Sequence, residues 1–160
     1  MGTELDLTLA ATVPIVTAVA RSGSVSYAEI VSSISSKSAS PCARANIDEF
    51  IETAAAALQV LGGAQRAKAI MVLNSADPSI MMRNTVYCLV DGNADHQRIE
   101  SDVLAMVEHV NDYVPGYRLK QRIQFETFSS HNPLHIPETG KFTGSQVSVL
   151  LEVTGTGATS

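Results

Sequence analysis

The stretch NIDEFIETAAAALQVLGGAQRAKAIMVL at residues 46–73 contains a helix, a stop signal and a buried strand in direct succession. Its first part, residues 46–61, places apolar side chains at helical spacing: Ile47, Phe50, Ile51, Ala54, Leu58 and Leu61. Gly62-Gly63 supplies the stop, because glycine adopts the left-handed conformation that ends helices. The apolar run at residues 69–73 then predicts a strand buried on both faces.

The apolar spacings typical of helices and of strands also occur on either side of this stretch. Two further helices are predicted, at residues 12–20 and 95–114, and the second is capped by Asp95 and ended by Pro115-Gly116. Alternation and β-branched content predict strands at residues 25–34, 85–90, 118–128 and 146–154. This order predicts an α+β fold, an open mixed sheet of about five or more strands with helices on one face. The other face is half apolar, and a second copy of the chain is the expected cover.

Length and charge limit the classes of function. The 160 residues carry a formal charge of −5, which describes one mildly acidic domain. We predict a single domain at residues 12–155, with a lead-in at residues 1–11 and a flexible tail at residues 156–160. No long apolar run or charged leader is present, so we expect a cytoplasmic protein that does not enter membranes. The acidic balance gives no general attraction to nucleic acid.

A series of ordered motifs resembles one enzyme family. AEIVSSISSKSASPCARANIDEF at residues 28–50 is followed by KAIMVLN, MRNTVY, YVPGYRLKQRIQF and SVLLEVTG at residues 68–74, 82–87, 113–125 and 148–155. The series resembles the central domain of acylating, CoA-dependent acetaldehyde dehydrogenases, which are usually partnered with a 4-hydroxy-2-oxovalerate aldolase. The resemblance implies a fold similar to the catalytic and dimerisation domain of glyceraldehyde-3-phosphate dehydrogenase-like enzymes, which associate through their sheets.

The chain departs from the family's pattern where the family's chemistry is located. The family places a cysteine nucleophile before its ATxP motif, and LTLAATVP at residues 7–14 puts Leu7 at that position, which has no nucleophilic group. The family's RDTVY reads RNTVY at residues 83–87, so Asn84 replaces an aspartate that resembles an acid or base group. We find no G-x-G-x-x-G motif and expect neither a Rossmann domain nor the family's helical tail. NAD and CoA, which the resemblance implies, are therefore not expected as cofactors.

The family's dinucleotide-contacting stretch SAGPGTRAN reads SASPCARAN at residues 38–46. Two of its glycines become Ser40 and Cys42, which add side chains where backbone would approach a phosphate. Ligand binding is assigned by resemblance to Ser38, Ala39, Ser40, Pro41, Cys42, Arg44 and Asn46. Ser40-Pro41 has the form of a helix start, so Cys42 is either a replacement nucleophile with a stabilised thiolate or a small space-filling side chain.

Six residues are candidates for catalysis: Glu29, Lys37, Cys42, Arg44, Asn84 and Tyr87. Their segments, by resemblance, converge around the family's substrate and nicotinamide pocket. A Glu29 or Lys37 side chain there can exchange a proton with a carbonyl or imine, provided burial moves its pKa toward neutrality. In the alternative interpretation, Glu29 anchors its strand and the asparagines satisfy buried backbone groups.

Four other groups of polar residues have simpler interpretations. Arg118, Lys120 and Arg122 alternate on one predicted strand face, either as an anion site or as an architectural row that pairs with Glu126. His131 and His135 lie in a proline-broken segment, which favours a solvated loop, and no metal site is expected. Cys88 is predicted in the core, and His96 and His109 at the surface.

Three hypotheses of function follow. The first is a repurposed dimeric enzyme that performs non-redox condensation or cyclisation on a small carbonyl, imine or acyl compound. The second is a non-catalytic dimerisation or partner subunit that binds an aldolase or a full-length dehydrogenase. The third is residual acylating acetaldehyde dehydrogenase activity in which a partner domain supplies the missing half. The retained Ser38, Arg44, Asn46 and Tyr87 favour the first hypothesis and a small-molecule ligand.

Overall fold

The structure, a computed structural model, describes residues 3–35, 47–74, 82–137 and 140–153. Three helices are present within these residues: α1 (Thr3–Ala20), α2 (Ile47–Val60) and α3 (His96–Asn111). The strands are β1 (Val25–Ser35), β2 (Ala67–Asn74), β3 (Met82–Asp91), β4 (Arg118–Leu119), β5 (Gln124–Phe128), β6 (Leu134–Ile136), β7 (Gly140–Phe142) and β8 (Gly144–Val153).

Six of these strands form one open sheet in the order β2-β1-β3-β8-β4, and β5 also pairs with β8. Strands β1 and β2 are parallel, whereas the pairs β1–β3, β3–β8, β4–β8 and β5–β8 are antiparallel. Strands β6 and β7 form a separate antiparallel hairpin. The predicted α+β fold with an open mixed sheet is thereby confirmed.

One face of the sheet and the three helices share a single hydrophobic core. Alternate side chains of β1, β3 and β8 point into this core, and Ile30, Val86 and Leu151 are among the most deeply buried. Helix α2 contributes Phe50, Ala54 and Leu58, and helix α3 contributes Ile99, Val103, Val107 and Val110. Packing of the helices on one face agrees with the prediction.

The opposite face of the sheet is only partly covered. At one end the β6–β7 hairpin packs on it through a small second cluster that contains Leu89, Phe128 and Phe142. Further along, Val31 is the register partner of Ile70 and Thr85, and Thr85 is the partner of Leu150. These side chains are half-buried, and Val72 at the sheet edge is 44% exposed. We call this uncovered part, around Val31, Ile70, Val72 and Leu150, the open face.

Helix α1 begins at Thr3, so the prediction of a helix that starts at residue 12 is wrong. Its buried stripe is Leu5, Thr8, Thr12, Ile15 and Val19, and all five residues lie in the core layer. Because threonine occupies two of these core positions, the apolar spacing of the first turns of α1 is not visible in the sequence. Burial of Thr12 is compensated locally, because its hydroxyl donates to the Thr8 carbonyl at 2.7 Å.

The C-terminal half differs from the sequence prediction at two points. The strand predicted at residues 118–128 is interrupted and forms β4 and β5 separately. The segment predicted as a solvated loop around His131 and His135 contains β6, although both histidines are exposed. Two prolines concealed β6, which is short enough to fit between Pro133 and Pro137.

Candidate functional site

A chain of buried polar side chains connects α1 to two central strands. The Thr8 and Ser32 hydroxyl oxygens are 3.3 Å apart, and the Ser32 hydroxyl donates to Asn84 Oδ1 at 2.8 Å. All three side chains are essentially inaccessible to solvent. Asn84 Nδ2 has no hydrogen-bond partner among the described residues. The chain is neutral throughout, so it satisfies buried groups without supplying a charge.

Leu7 precedes Thr8 on α1 and is half-buried against the core. The position to which resemblance assigns the family's nucleophile therefore holds an apolar side chain next to a neutral hydrogen-bonded chain. Asn84, at the position of the family's aspartate, is an amide that accepts from Ser32. Neither residue can take part in proton transfer or nucleophilic attack at neutral pH.

The predicted convergence of Glu29 and Asn84 in one pocket is wrong. In β1, Ala28, Ile30 and Ser32 point into the core, so Glu29 points to the opposite face of the sheet. Tyr87 is the register partner of Glu29 and shares its face. Strand alternation therefore separates the three candidates that the structure describes, with Asn84 under the helices and Glu29 and Tyr87 on the far side.

Glu29 and Tyr87 instead line a cleft of about 820 Å³ between the sheet and the β6–β7 hairpin. Lys68 and Tyr87 flank Glu29 on the neighbouring strands, and the Tyr27 hydroxyl donates to Glu29 Oε1 at 2.6 Å. Leu134, Ile136 and Phe142 form the apolar roof of this cleft. The arrangement combines a carboxylate, a phenol and an amine beside an apolar wall.

A second polar group surrounds Glu152, which is only 2% exposed. Arg118 donates to Glu152 Oε1 from Nη2 at 2.9 Å and from Nε at 3.3 Å, and Arg83 Nε donates to Oε2 at 3.1 Å. Lys120 Nζ lies 3.6 Å from Oε2. Burial alone would raise the pKa of Glu152, but the hydrogen bonds from Arg118 and Arg83 and the charge of Lys120 hold that pKa below its usual value.

The structure does not keep the predicted row of Arg118, Lys120 and Arg122 together: the first two contact Glu152, and Arg122 does not. Arg122 turns away, and its Nε lies 3.8 Å from Glu100 Oε2 on α3. The row loses its regular alternation because β4 ends at Leu119. Glu152 and Arg83 are the two members that sequence reasoning missed. Their contact could be predicted only from the strand register, because Arg83 on β3 is the direct register partner of Glu152 on β8.

Residues 9–159 match a family model described as prokaryotic acetaldehyde dehydrogenase, dimerisation. The chain belongs to this family. The predicted resemblance to acetaldehyde dehydrogenases is thereby confirmed for nearly the whole sequence. We call the matched residues 9–159 the dimerisation domain, after the description of the family model; Leu7 lies just before them and Asn84 within them.

Two curated relatives show how closely the dimerisation domain follows the family. A protein of Mycolicibacterium vanbaalenii named "Probable inactive acetaldehyde dehydrogenase 1" is 65% identical over 90% of this chain and 46% of its own length. The "Acetaldehyde dehydrogenase" of Paraburkholderia phytofirmans is 56% identical over 91% of this chain and 46% of its own length. The chain spans about half the length of the curated relatives it matches.

A solved aspartate semialdehyde dehydrogenase II of Vibrio cholerae also aligns with the dimerisation domain. The alignment covers 96% of this chain and 50% of that chain, with a TM-score of 0.45 and 8% identity.

The candidate ligand stretch of the dimerisation domain lies outside the described residues. This applies to Lys37, Ser38, Ala39, Ser40, Pro41, Cys42, Arg44 and Asn46, whose assigned roles stay predictions. Within the described ranges, no three His, Cys, Asp or Glu side chains are grouped in a way that could hold a metal ion. None of the helices that the structure describes is long and apolar enough to cross a membrane.

Two further predictions about single residues in the dimerisation domain can be compared with the structure. Cys88 is buried in the core as predicted, and burial raises the pKa of its thiol to about 12. His96 was expected at the surface but is half-buried. Its ring stacks on Phe125 with centroids 4.4 Å apart, and its Nε2 lies 2.9 Å from the Ser145 hydroxyl. Packing by β5 and β8, which no local pattern reveals, accounts for the difference.

Proposed function

We propose that this chain is a dimerisation module in which the family's acyl-transfer site is closed. The observation that carries the proposal is the neutral, fully buried Thr8–Ser32–Asn84 chain, whose first member directly follows Leu7 on α1. Acyl transfer through a thioester needs a nucleophile that can be deprotonated and a nearby group that moves a proton. A leucine and an amide at these two positions provide neither function.

The described residues also do not fit the cofactors that the resemblance implies. A thioester exchange with CoA needs a thiol at the position of Leu7, and hydride transfer to NAD follows addition of that thiol to the aldehyde. Asn84 Nδ2, a hydrogen-bond donor, faces no acceptor among the described residues, so these residues supply no acidic group at position 84. The described residues therefore support no step that uses NAD or CoA. The name of the Mycolicibacterium relative, "Probable inactive acetaldehyde dehydrogenase 1", supports the same proposal.

The open face is the surface that we assign to dimerisation. Ile70, Val31, Thr85 and Leu150 form a half-buried row across the sheet in which only Thr85 is polar, and Val72 lies further along the edge strand β2. An apolar sheet face with only one end covered is stabilised by a second apolar layer. A second copy supplies that layer through a two-fold axis, with the same residues on both sides. An aldolase or a full-length dehydrogenase remains the alternative partner, and a cytoplasmic location remains a prediction.

Replacing Val72 with glutamate should weaken the homodimer. The new carboxylate would be desolvated in the interface, and we expect the dimer dissociation constant to rise at least about tenfold. Sedimentation velocity over a range of protein concentrations measures this constant. The matched control is Leu104→Glu, because Leu104 on α3 is also 44% exposed but lies on the helical side.

The dimerisation proposal fails if the unsubstituted chain is monomeric at every concentration. It also fails if Val72→Glu and Leu104→Glu weaken self-association equally. A chain that is monomeric alone but forms a stable complex with an aldolase or a full-length dehydrogenase would favour the partner-subunit alternative.

A second candidate function is the non-redox enzyme, and the cleft under the hairpin is what favours it. Glu29 and Tyr87 are neighbours there, with Lys68 on the next strand, so an acid or base lies beside a hydrogen-bond donor. Such a group of side chains can bind a small carbonyl compound and exchange protons with it. Condensation and cyclisation belong to this proposal, which rests on the cleft alone.

Saturation-transfer NMR with pyruvate and acetaldehyde tests the cleft. If the cleft binds a carbonyl compound, Tyr87→Phe should weaken binding of at least one probe about fivefold, because one hydrogen bond is lost. Arg98→Gln, on the exposed side of α3, is the control and should leave binding unchanged. Absence of saturation transfer from both probes, or an equal effect of the control, would reject the enzyme hypothesis for this cleft.

A further inference from the structure

The side chains around Glu152 carry more positive charge than their carboxylate can balance. Arg83, Arg118 and Lys120 all lie within 3.6 Å of one of its oxygens. Three cations and one anion leave a local charge of +2 in a chain whose formal charge is −5. An excess of two positive charges within one small cluster creates a local potential that attracts anions.

The carboxylate at the centre of the cluster is buried, whereas the three cations around it are partly exposed to solvent in the single chain. Glu152 is 2% exposed, whereas the side chains of Arg83, Arg118 and Lys120 are 41%, 63% and 41% exposed. Arg118 uses Nε and Nη2 on Glu152, and Arg83 uses Nε, so three Nη groups have no partner among the described residues. A buried carboxylate that fixes guanidinium groups leaves their remaining N–H donors oriented for a second anion.

Strand topology places this cluster at a rim of the sheet. Strand β4, which carries Arg118, is the last strand in the sheet order, and Glu152 is its register partner on β8. Lys120 is held close by its own backbone, because its amide donates to the Leu150 carbonyl at 2.8 Å. The cluster is therefore separate from the buried Asn84 site, and it lies at the opposite end of the sheet from the hairpin cleft.

We propose that Arg83, Arg118 and Lys120 form a binding site for a small oxyanion, a phosphate monoester or a carboxylate. The guanidinium groups present parallel N–H donors that match two oxygens of such a group, and the Lys120 ammonium adds a point charge. Glu152 is a positioning residue in this site, because it holds the cations without touching the ligand. The site borders the open face, because Arg83 and Glu152 point to the same side of the sheet as Thr85 and Leu150, so a dimer formed through that face leaves it accessible only at the rim of the interface.

Titration with inorganic phosphate and with acetate, followed by amide chemical shifts at low salt, tests the site. We expect saturable shifts around Arg83, Arg118 and Lys120, and weaker binding at high salt. Tighter binding of phosphate than of acetate would assign the site to phosphate monoesters, and the reverse order to carboxylates. Arg118→Gln should raise the phosphate dissociation constant about tenfold, because it removes a charge and a hydrogen-bonding fork.

The chain offers a closely matched control in Arg122→Gln. This variant removes the same charge from the same segment, but Arg122 contacts Glu100 rather than Glu152. We expect it to change the phosphate dissociation constant less than about twofold. If Arg118→Gln loses its far-UV circular dichroism signal, Lys120→Gln takes its place. Equal effects of the site and control variants, or shifts that do not saturate, would overturn the proposal.

Discussion

Replacing Gly144 with alanine should destabilise the domain by about 3–5 kcal/mol. Gly144 has a φ of +145°, which side chains with a Cβ rarely adopt. An added Cβ would also overlap the Val90 carbonyl oxygen and lie 2.8 Å from the Phe142 ring. The Val90 oxygen belongs to the backbone of a central strand, so it cannot move without disturbing the β3–β8 ladder. Urea denaturation measures the loss as a lower midpoint with an unchanged slope.

Gly92→Ala is the control that separates the conformational cost of a positive φ from the steric overlap of an added Cβ. Gly92 also has a positive φ, of +71°, but an added Cβ would meet nothing within 4 Å. We expect that substitution to cost about 1 kcal/mol, which is the conformational penalty alone. A Gly144→Ala variant no less stable than Gly92→Ala would contradict the close approach of β8 to Val90.

The elements of the fold that follow from the regular spacing of apolar residues could be predicted from the sequence. Phe50, Ala54 and Leu58 lie on the buried face of α2, as their spacing indicates. The first turns of α1 escaped prediction because Thr8 and Thr12 occupy core positions. A threonine is recognisable as a core residue only when the structure shows what its hydroxyl contacts.

The candidate site could be predicted only in part, because a side chain's face depends on register. Asn84 and Leu7 were singled out from sequence; Asn84 accepts a hydrogen bond from Ser32, and Leu7 packs against the core from the residue before Thr8. Glu29 was grouped with them, but alternation along β1 points it to the other face. A one-residue offset reverses the face of every strand residue, and resemblance between segments does not fix that offset.

The cluster around Glu152 was beyond sequence reasoning for a different reason. Its members come from β3, β4 and β8, which are separated along the chain and meet only through pairing. A lone Glu152 in an apolar strand gives no sign that it is buried. Three cations lower the free energy of that buried carboxylate, and they are visible only once the strand order is known.

Asn84→Asp should destabilise the domain by about 2–4 kcal/mol at neutral pH. Position 84 is inaccessible to solvent, and its described hydrogen-bond partner is the Ser32 hydroxyl rather than a cation. An aspartate there would have a pKa raised in the folded state, because burial disfavours the charged form. The folded state would then bind a proton that the unfolded chain has released. The penalty is therefore largest at high pH and disappears as the pH falls toward about 4, the ordinary value for aspartate.

Asn93→Asp is the matched control for this prediction, because it makes the same exchange in an exposed turn. Urea denaturation of both variants at about pH 7 and about pH 5 should show a pH-dependent loss for position 84 only. If Asn84→Asp keeps full stability at both values, water reaches position 84 and the site is not closed. An aspartate in the family's acid or base role needs such hydration or a cation, so the proposed closure of the site would by itself account for the loss of that role.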